Sequence, residues 1–276
     1  MLKRVYLEIT NVCNRACAFC PGTTRTPHFL TEEEFDRLTD ALRGETQYLY
    51  FHLMGEPLLH PSLARFLAIA GEKGFRVILT TNGTLLGEKG EILLSAPPLY
   101  KINLSLQSFE ANRGGELKDY VNRCAAFAAK AGAAGKICEL RLWNHGGLES
   151  LNGEILSLLA LRFPQPWETN ARSVKLAERV YLAEDDRFDW PDPAAADRGE
   201  RCFCYGLRDQ IGVLCDGTVV PCCLDHNGDV PLGNLFSQSL KEIMSTEKAR
   251  RIYDGFSQRK AVEELCRRCG YARRFT

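Results

Sequence analysis

The chain reads as an α/β protein: a partial, TIM-like (β/α)6 barrel with helices outside, followed by a small cysteine-rich domain holding a β-hairpin and a helix. Three observations carry this. Short β-rich runs alternate with amphipathic stretches through residues 5–162, the predicted strands have one polar face, and most of the twelve cysteines fall in two groups, one near each end.

The first strand is VYLEIT, residues 5–10, and a helix starts at Thr31, where Thr31 and Glu34 form a capping box. YLYFHLM is the second strand. The helix after it has Pro61 in its first turn and Gly74 as its stop. RVILTTNG and YKINLSLQS are the third and fourth strands, a helix covers 118–134, and ICELRLWN is the fifth strand. Repeated βα units of this kind align their strands in parallel.

Side chains alternate between the two faces of a strand. Tyr6, Glu8 and Thr10 share a side, as do His52 and Met54, then Asn103, Ser105 and Gln107, then Glu139, Arg141 and Trp143. On the other side Leu7, Ile9, Phe51, Leu53, Leu104, Leu106, Leu140 and Leu142 are expected to pack on the helices. A closed barrel with a filled interior is apolar on both faces. A polar inner face predicts instead a half-open barrel around a ligand cavity.

Residues 1–183 are assigned to the barrel, the Asp-, Pro- and Ala-rich stretch 184–201 to a linker, and 202–276 to the second domain. In that domain IGVLCDGTVVPCCL has the DG turn of a hairpin, and SLKEIMSTEKARRIYDGF reads as one helix. Of 276 residues, 35 are basic and 35 acidic, so the charge makes no case for nucleic acid or an anionic membrane surface. Neither a signal peptide nor a spanning apolar run is visible, which points to a cytoplasmic protein.

Twelve cysteines in a reducing compartment point to metal. CNRACAFC places Cys13, Cys17 and Cys20 on a loop after a strand. Structural zinc needs four ligands, whereas an iron–sulfur cubane on three thiolates keeps one iron open for something that comes and goes. At the back, Cys202, Cys204, Cys215, Cys222, Cys223, Cys266 and Cys269 suit either a zinc ribbon or a cluster on spacing alone. Cys124 lies on a helix face with Val121, Phe127, Ala128 and Ala131, and Cys138 lies with Leu140 and Leu142, so both are expected in the core.

The motif formed by Cys13, Cys17 and Cys20 resembles the CxxxCxxC signature of radical S-adenosylmethionine (SAM) enzymes, with Phe19 in the aromatic place near the adenine. Met54, Gly55, Glu56 and Pro57 resemble the family's GGEP segment, whose backbone and acidic side chain hold the methionine amino group; Met54 replaces its first glycine. Thr80, Thr81 and Asn82, together with Ser105 and Gln107, resemble further SAM-facing positions. The resemblance implies a 4Fe-4S cluster that binds SAM, reductive cleavage to a 5′-deoxyadenosyl radical, and hydrogen abstraction from a substrate. The C-terminal cysteines resemble the SPASM extension in its shorter form, Twitch, which implies one auxiliary 4Fe-4S cluster on Cys204, Cys222, Cys266 and Cys269. Cys202 and Cys223 are the alternatives to Cys204 and Cys222, and Cys215 is expected to be structural or an outer neighbour of the cluster.

Size and cysteine spacing resemble the Twitch-containing alcohol dehydrogenases of the family, exemplified by 2-deoxy-scyllo-inosamine dehydrogenase. That likeness implies a small-molecule alcohol as substrate, with Arg141 contacting it and Glu139 and His52 shaping its pocket; an Arg141–Glu139 ion pair is the purely structural alternative. A maturase of a ribosomally made peptide is the second reading, disfavoured because the first strand starts near residue 5 and leaves no room for a peptide-recognition domain. A non-catalytic iron–sulfur electron-transfer module is the third. A reducing partner such as flavodoxin or ferredoxin is implied for both enzyme readings.

Overall fold

The computed structural model describes residues 1–112, 115–169 and 173–275. In chain order it contains β1 (Arg4–Leu7), α1 (Glu32–Ala41), β2 (Tyr48–Phe51), α2 (Leu63–Glu72), β3 (Arg76–Thr81), α3 (Leu86–Ser95), β4 (Leu99–Ser105), α4 (Leu117–Ala133), β5 (Ile137–His145) and α5 (Asn152–Arg162). Then come β6 (Glu168–Thr169), β7 (Val174–Ala177), β8 (Val180–Asp186), β9 (Gln210–Val213), β10 (Thr218–Val220), β11 (Gly233–Asn234), α6 (Leu240–Met244), α7 (Glu247–Ser257) and α8 (Glu264–Arg267).

Strands β1, β2, β3, β4, β5 and β8 pair in that order, all parallel, and make the half-barrel. The sixth strand arrives late. After α5 the chain first forms β6 and β7, and β7 turns back antiparallel into β8. β8 runs to Asp186, so the first three residues of the predicted linker are strand. On the other edge β9 pairs parallel with β1, and β10 and β11 continue antiparallel, giving one sheet of 11 strands. The cysteine-rich segment therefore extends the barrel sheet itself.

The predicted outer face is the core. Leu7, Phe51, Leu104, Leu140 and Leu142 have no exposed surface, and Phe35 of α1 stacks on Phe66 of α2 at 4.1 Å while meeting Phe51 edge-on at 5.5 Å. Each such side chain contributes roughly 1.5–3 kcal/mol on burial. The Thr31–Glu34 capping box is present, and Gly74 follows α2 in the left-handed region. Cys124 and Cys138 are core residues, as expected.

Several readings need correction. Ser62 is the N-cap of α2, which puts Pro61 one residue before the cap instead of in the first turn. The predicted C-terminal helix is two, α6 and α7, because Thr246 leaves the helix and caps α7 by accepting from Ala249 N. β2 ends at Phe51, so its alternation stops there: Leu53 packs with Tyr6, Met54, Leu214 and Val220 in a separate cluster and not on the helices.

Candidate active site

The C-terminal ends of β1 to β5 open into a cavity of about 510 Å³, and both cysteine groups face it. Cys13, Cys17 and Cys20 sit on the loop between β1 and α1. Thr10 Oγ1 ties the base of that loop, donating to His28 O at 2.8 Å and accepting from Val12 N at 3.0 Å. Asn82 Nδ2 donates to Asn14 Oδ1 at 2.9 Å, and Asn14 Nδ2 donates to Thr84 Oγ1 at 3.0 Å, which hold the loop to the end of β3. Asn112 does two jobs: its Oδ1 accepts from Ala16 N and its Nδ2 donates to Cys17 Sγ, both at 2.9 Å.

Gly55 locks this loop against the next. With φ of +77° it occupies the left-handed region, and a Cβ there would stand 2.4 Å from Thr10 O. Beside it the Glu56 carboxylate accepts from Leu58 N (3.0 Å), Thr81 Oγ1 (2.7 Å) and Asn82 N (2.8 Å). Burial raises its pKa, against the pull of those three donors. Glu56 thus braces the β2 and β3 loops. Its neighbours Met54 and Pro57 lie outside the cavity wall, whereas Phe19, Gly55, Glu56, Thr80, Thr81, Asn82, Ser105 and Gln107 line it.

Glu8, predicted on the inner face, is fully buried and takes a two-pronged ion pair from Arg25, with Nη2 at 2.6 Å and Nη1 at 2.8 Å. Arg25 Nε also donates to His226 O at 2.9 Å, and Cys215 N donates to Glu8 Oε2 at 3.1 Å. The cysteine loop is thereby bolted to the C-terminal segment. Cys215 is part of this bolt, and Asp225 closes the turn around His226 by accepting from Asp229 N and Val230 N.

On β5, Arg141 Nε donates to Glu139 Oε1 at 2.7 Å, and the guanidinium covers the Trp143 ring at 4.2 Å. Lys101 Nζ donates to the other Glu139 oxygen at 2.6 Å. The ion pair held as the structural alternative is therefore present. Lys101, Arg141 and Trp143 reach the cavity wall, and Glu139 stands behind them as counter-ion. Burial opposes the charge on Glu139, but Arg141 and Lys101 hold its pKa below the ordinary value. Lys101 was missed by the sequence reading, although the alternation 101, 103, 105 extends to it. His52 also lines the cavity; burial, then the Arg141 charge, lowers its pKa to about 3, so its ring is neutral.

In the second thiol group, Cys222 lies within electrostatic reach of Cys204, Cys223, Cys266 and Cys269, and Cys266 within reach of Cys204, Cys269 and Cys202. Cys223 turns partly away, toward a hydrogen bond with Tyr6. Burial pushes the Cys204 thiol up to about 12 and those of Cys222 and Cys266 well above the ordinary value, each raised further by neighbouring cysteines. Burial likewise raises Cys13, Cys17 and Cys20. Clustered thiols of this kind shed their protons to metal. No three such donors among the described residues are grouped for a single metal ion, so by residue type the two thiol sets suit the wider span of iron–sulfur clusters, and the buried, unpartnered Nδ1 of His52, Oδ1 of Asn103 and Oε1 of Gln107 along the same wall suit a polar ligand.

A parallel half-barrel that closes its cavity with two sets of sulfur donors defines an iron–sulfur enzyme of the barrel type. Residues 7–139 match the radical SAM superfamily and residues 202–270 match SPASM, an iron–sulfur cluster-binding domain, so the chain carries both domains. Its cofactors are accordingly S-adenosylmethionine, a 4Fe-4S cluster and auxiliary iron–sulfur. A tungsten-containing aldehyde ferredoxin oxidoreductase cofactor-modifying protein of Pyrococcus furiosus is 34% identical over 96 residues, 32% of this chain and 26% of that protein. The chain matches about a quarter to a third of the length of the first curated relatives. Among solved structures, BtrN in complex with AdoMet and 2-DOIA superposes with a TM-score of 0.60 at 18% identity, over 98% of this chain and 93% of that one. Streptococcus suis SuiB superposes with a TM-score of 0.65 at 14% identity, over 98% and 72%. Among the described residues, no helix is long and apolar enough to cross a membrane.

Proposed function

We propose that this chain oxidises a small-molecule alcohol by radical SAM chemistry in a reducing, cytoplasmic setting, with flavodoxin or ferredoxin as electron donor. When bound, the cluster and SAM would supply a 5′-deoxyadenosyl radical that takes a hydrogen atom from the substrate carbon, and the auxiliary cluster would accept the second electron as the hydroxyl proton is lost to solvent. Cys13, Cys17 and Cys20 hold the first cluster and leave one iron for SAM. Gly55, Thr80, Asn82, Ser105 and Gln107 orient the SAM, with Phe19 beside the adenine. Cys204, Cys222, Cys266 and Cys269 hold the auxiliary cluster. The cavity between them excludes water and fixes the substrate C–H bond.

The observation that carries the alcohol reading is the polar wall formed by Arg141, Lys101 and His52. Arg141 offers hydrogen-bond donors and no acceptor, so it orients the substrate oxygen. Neutral His52 presents an unpartnered Nδ1 that accepts the hydrogen bond of the substrate hydroxyl. The test is turnover with candidate alcohols, comparing 5′-deoxyadenosine with oxidised product. Arg141→Ala is expected to keep SAM cleavage and lose at least tenfold in product; full product formation would remove Arg141 from the substrate site.

One observation favours peptide modification as a second reading. Beside the main cavity, Phe19, Phe188 and Trp190 line an adjoining cavity of about 470 Å³ together with Arg187, Asp189 and Asp192, a mixed apolar and charged surface suited to a peptide. The SuiB fold, solved bound to precursor peptide SuiA, resembles this one at a TM-score of 0.60. Modification of a peptide encoded beside this chain, with no turnover of alcohols, would establish this reading over the first.

A further inference from the structure

We propose that Arg4 is the fixed countercharge of the auxiliary cluster and sets how readily that cluster takes an electron. This rests on the reading that the C-terminal cysteines hold a cluster.

Arg4 opens β1 and shares the inner face with Tyr6 and Glu8. It lines the cavity, and its side-chain neighbours are Tyr6, Tyr50 and Cys223. No carboxylate pairs with it among the described residues. Lys3 is matched with Asp209 at 2.8 Å, Arg25 with Glu8, and Lys101 and Arg141 with Glu139, whereas Arg15, the other cavity cation without a carboxylate, acts on Cys17 in the first thiol group. Arg4 hydrogen-bonds the Tyr6 phenol, but a neutral phenol does not balance a half-buried guanidinium, which leaves that charge to be met by something other than a carboxylate side chain.

The chain path shows where that partner lies. β9 pairs with β1, bringing Gln210 opposite Arg4, and the hairpin returns through β10 to Pro221, Cys222 and Cys223. Gly212 lets this segment fold over the sheet, because a Cβ there would meet Val220 at 2.7 Å and Cys222 O at 3.1 Å. Cys223 lines the same cavity as Arg4 and lies within reach both of Tyr6 and Arg4 and of Cys204, Cys222 and Cys269. This placement is the same whether Cys222 or Cys223 is the ligand.

A cubane on four thiolates is an anion, and its reduced form carries one more negative charge. A fixed cation beside it favours the reduced form and raises the potential. The inference concerns the equilibrium of that one-electron step, in which the electron comes from whatever reductant is present and no proton need move.

The test uses the full-length chain with Cys13, Cys17 and Cys20 changed to Ala, reconstituted anaerobically, so that any remaining cluster is the auxiliary one. A dithionite titration with mediators, read by electron paramagnetic resonance, gives the reduced fraction at each potential. At the potential that half-reduces this parent, Arg4→Gln is expected to lower the reduced fraction at least threefold, and Arg4→Lys to restore most of it. Arg4→Met, which keeps an apolar stem without the charge, should match Arg4→Gln and provides a second readout should the glutamine variant misfold. Charge-removed variants that keep about four irons per chain and titrate with the parent overturn the role of Arg4 while leaving the cluster assignment intact. A parent that binds no iron overturns both together.

Discussion

Glu139 and Arg141 are joined at 2.7 Å through Oε1 and Nε on the inner face of β5, and the second carboxylate oxygen of Glu139 is taken by Lys101 of β4. One anion thus serves two cations, each largely withdrawn from solvent. Glu139→Gln leaves both without a counter-ion and should destabilise the chain by about 3 kcal/mol, since removing one partner of a buried pair exposes the desolvation of the other. Urea unfolding checks this. A loss below about 1 kcal/mol would mean the cations relax into water as exposed ones do.

The Arg25–Glu8 pair predicts a different outcome, because Arg25 also donates to His226 O and Glu8 also accepts from Cys215 N, each across more than 200 residues. Glu8 takes both guanidinium nitrogens and the backbone N–H groups of Met54 and Cys215. Arg25→Met should lower stability by about 3 kcal/mol. It should also release iron from the first thiol site faster than from the second, because Arg25 lies on the loop that carries Cys13, Cys17 and Cys20. Iron release to a chelator, compared in variants that hold one cluster each, measures the difference; equal rates would confine Arg25 to global stability.

Acid lability follows from two buried imidazoles. The pKa of His52 is lowered to about 3 by burial and then by Arg141, and that of His60 to about 4 by burial, with His28 adding to it. Both are neutral in the folded chain and titrate in the unfolded chain near the ordinary imidazole value of 6.5. The unfolded state therefore binds more protons below that pH. Stability is complete above pH 6.5 and falls as pH drops toward 4, by up to about 1.4 kcal/mol per pH unit for each ring. Urea midpoints of the cluster-free protein between pH 7 and pH 4.5 should show this slope, and His60→Asn should flatten it; a profile unchanged by that substitution would assign the acid limb elsewhere.

The barrel was legible because its strands alternate cleanly: Leu104, Leu140 and Leu142 pack outward, while Asn103, Ser105 and Arg141 face the cavity. The same rule misplaced Leu53, because β2 stops at Phe51 and a loop has no period. Glu56 was legible as a site residue, but its three protein donors give it a bracing role that spacing does not reveal. The pairing of β9 with β1 was not legible at all. It joins residues about 200 positions apart, and no local pattern in VYLEIT or IGVLCD announces which edge accepts the other. Arg4, Arg25 and Asn112 were missed because each also meets a residue far off in the chain, Cys223, His226 and Cys17 respectively, while reading locally as an ordinary polar residue.

Adjacent cysteines with different surroundings supply the sharpest test of the second metal site. Cys222 is surrounded by sulfur, with Cys204, Cys223, Cys266 and Cys269 all close enough to raise its pKa. Cys223 shares Cys204 and Cys269 as neighbours but is also drawn toward Tyr6 by a hydrogen bond and toward Arg4 by its charge. A ligand thiol must give its electron pairs to iron, and a thiol engaged by a phenol and a guanidinium is better placed as an outer partner of the cluster. Cys222→Ser should therefore lower the reconstituted iron from about eight to about four per chain, and Cys223→Ser should leave it near eight. The two variants differ by one position in the chain, so misfolding of the segment would affect them alike. Loss of four irons in Cys223→Ser with none lost in Cys222→Ser would exchange their roles and put the cluster directly against Tyr6.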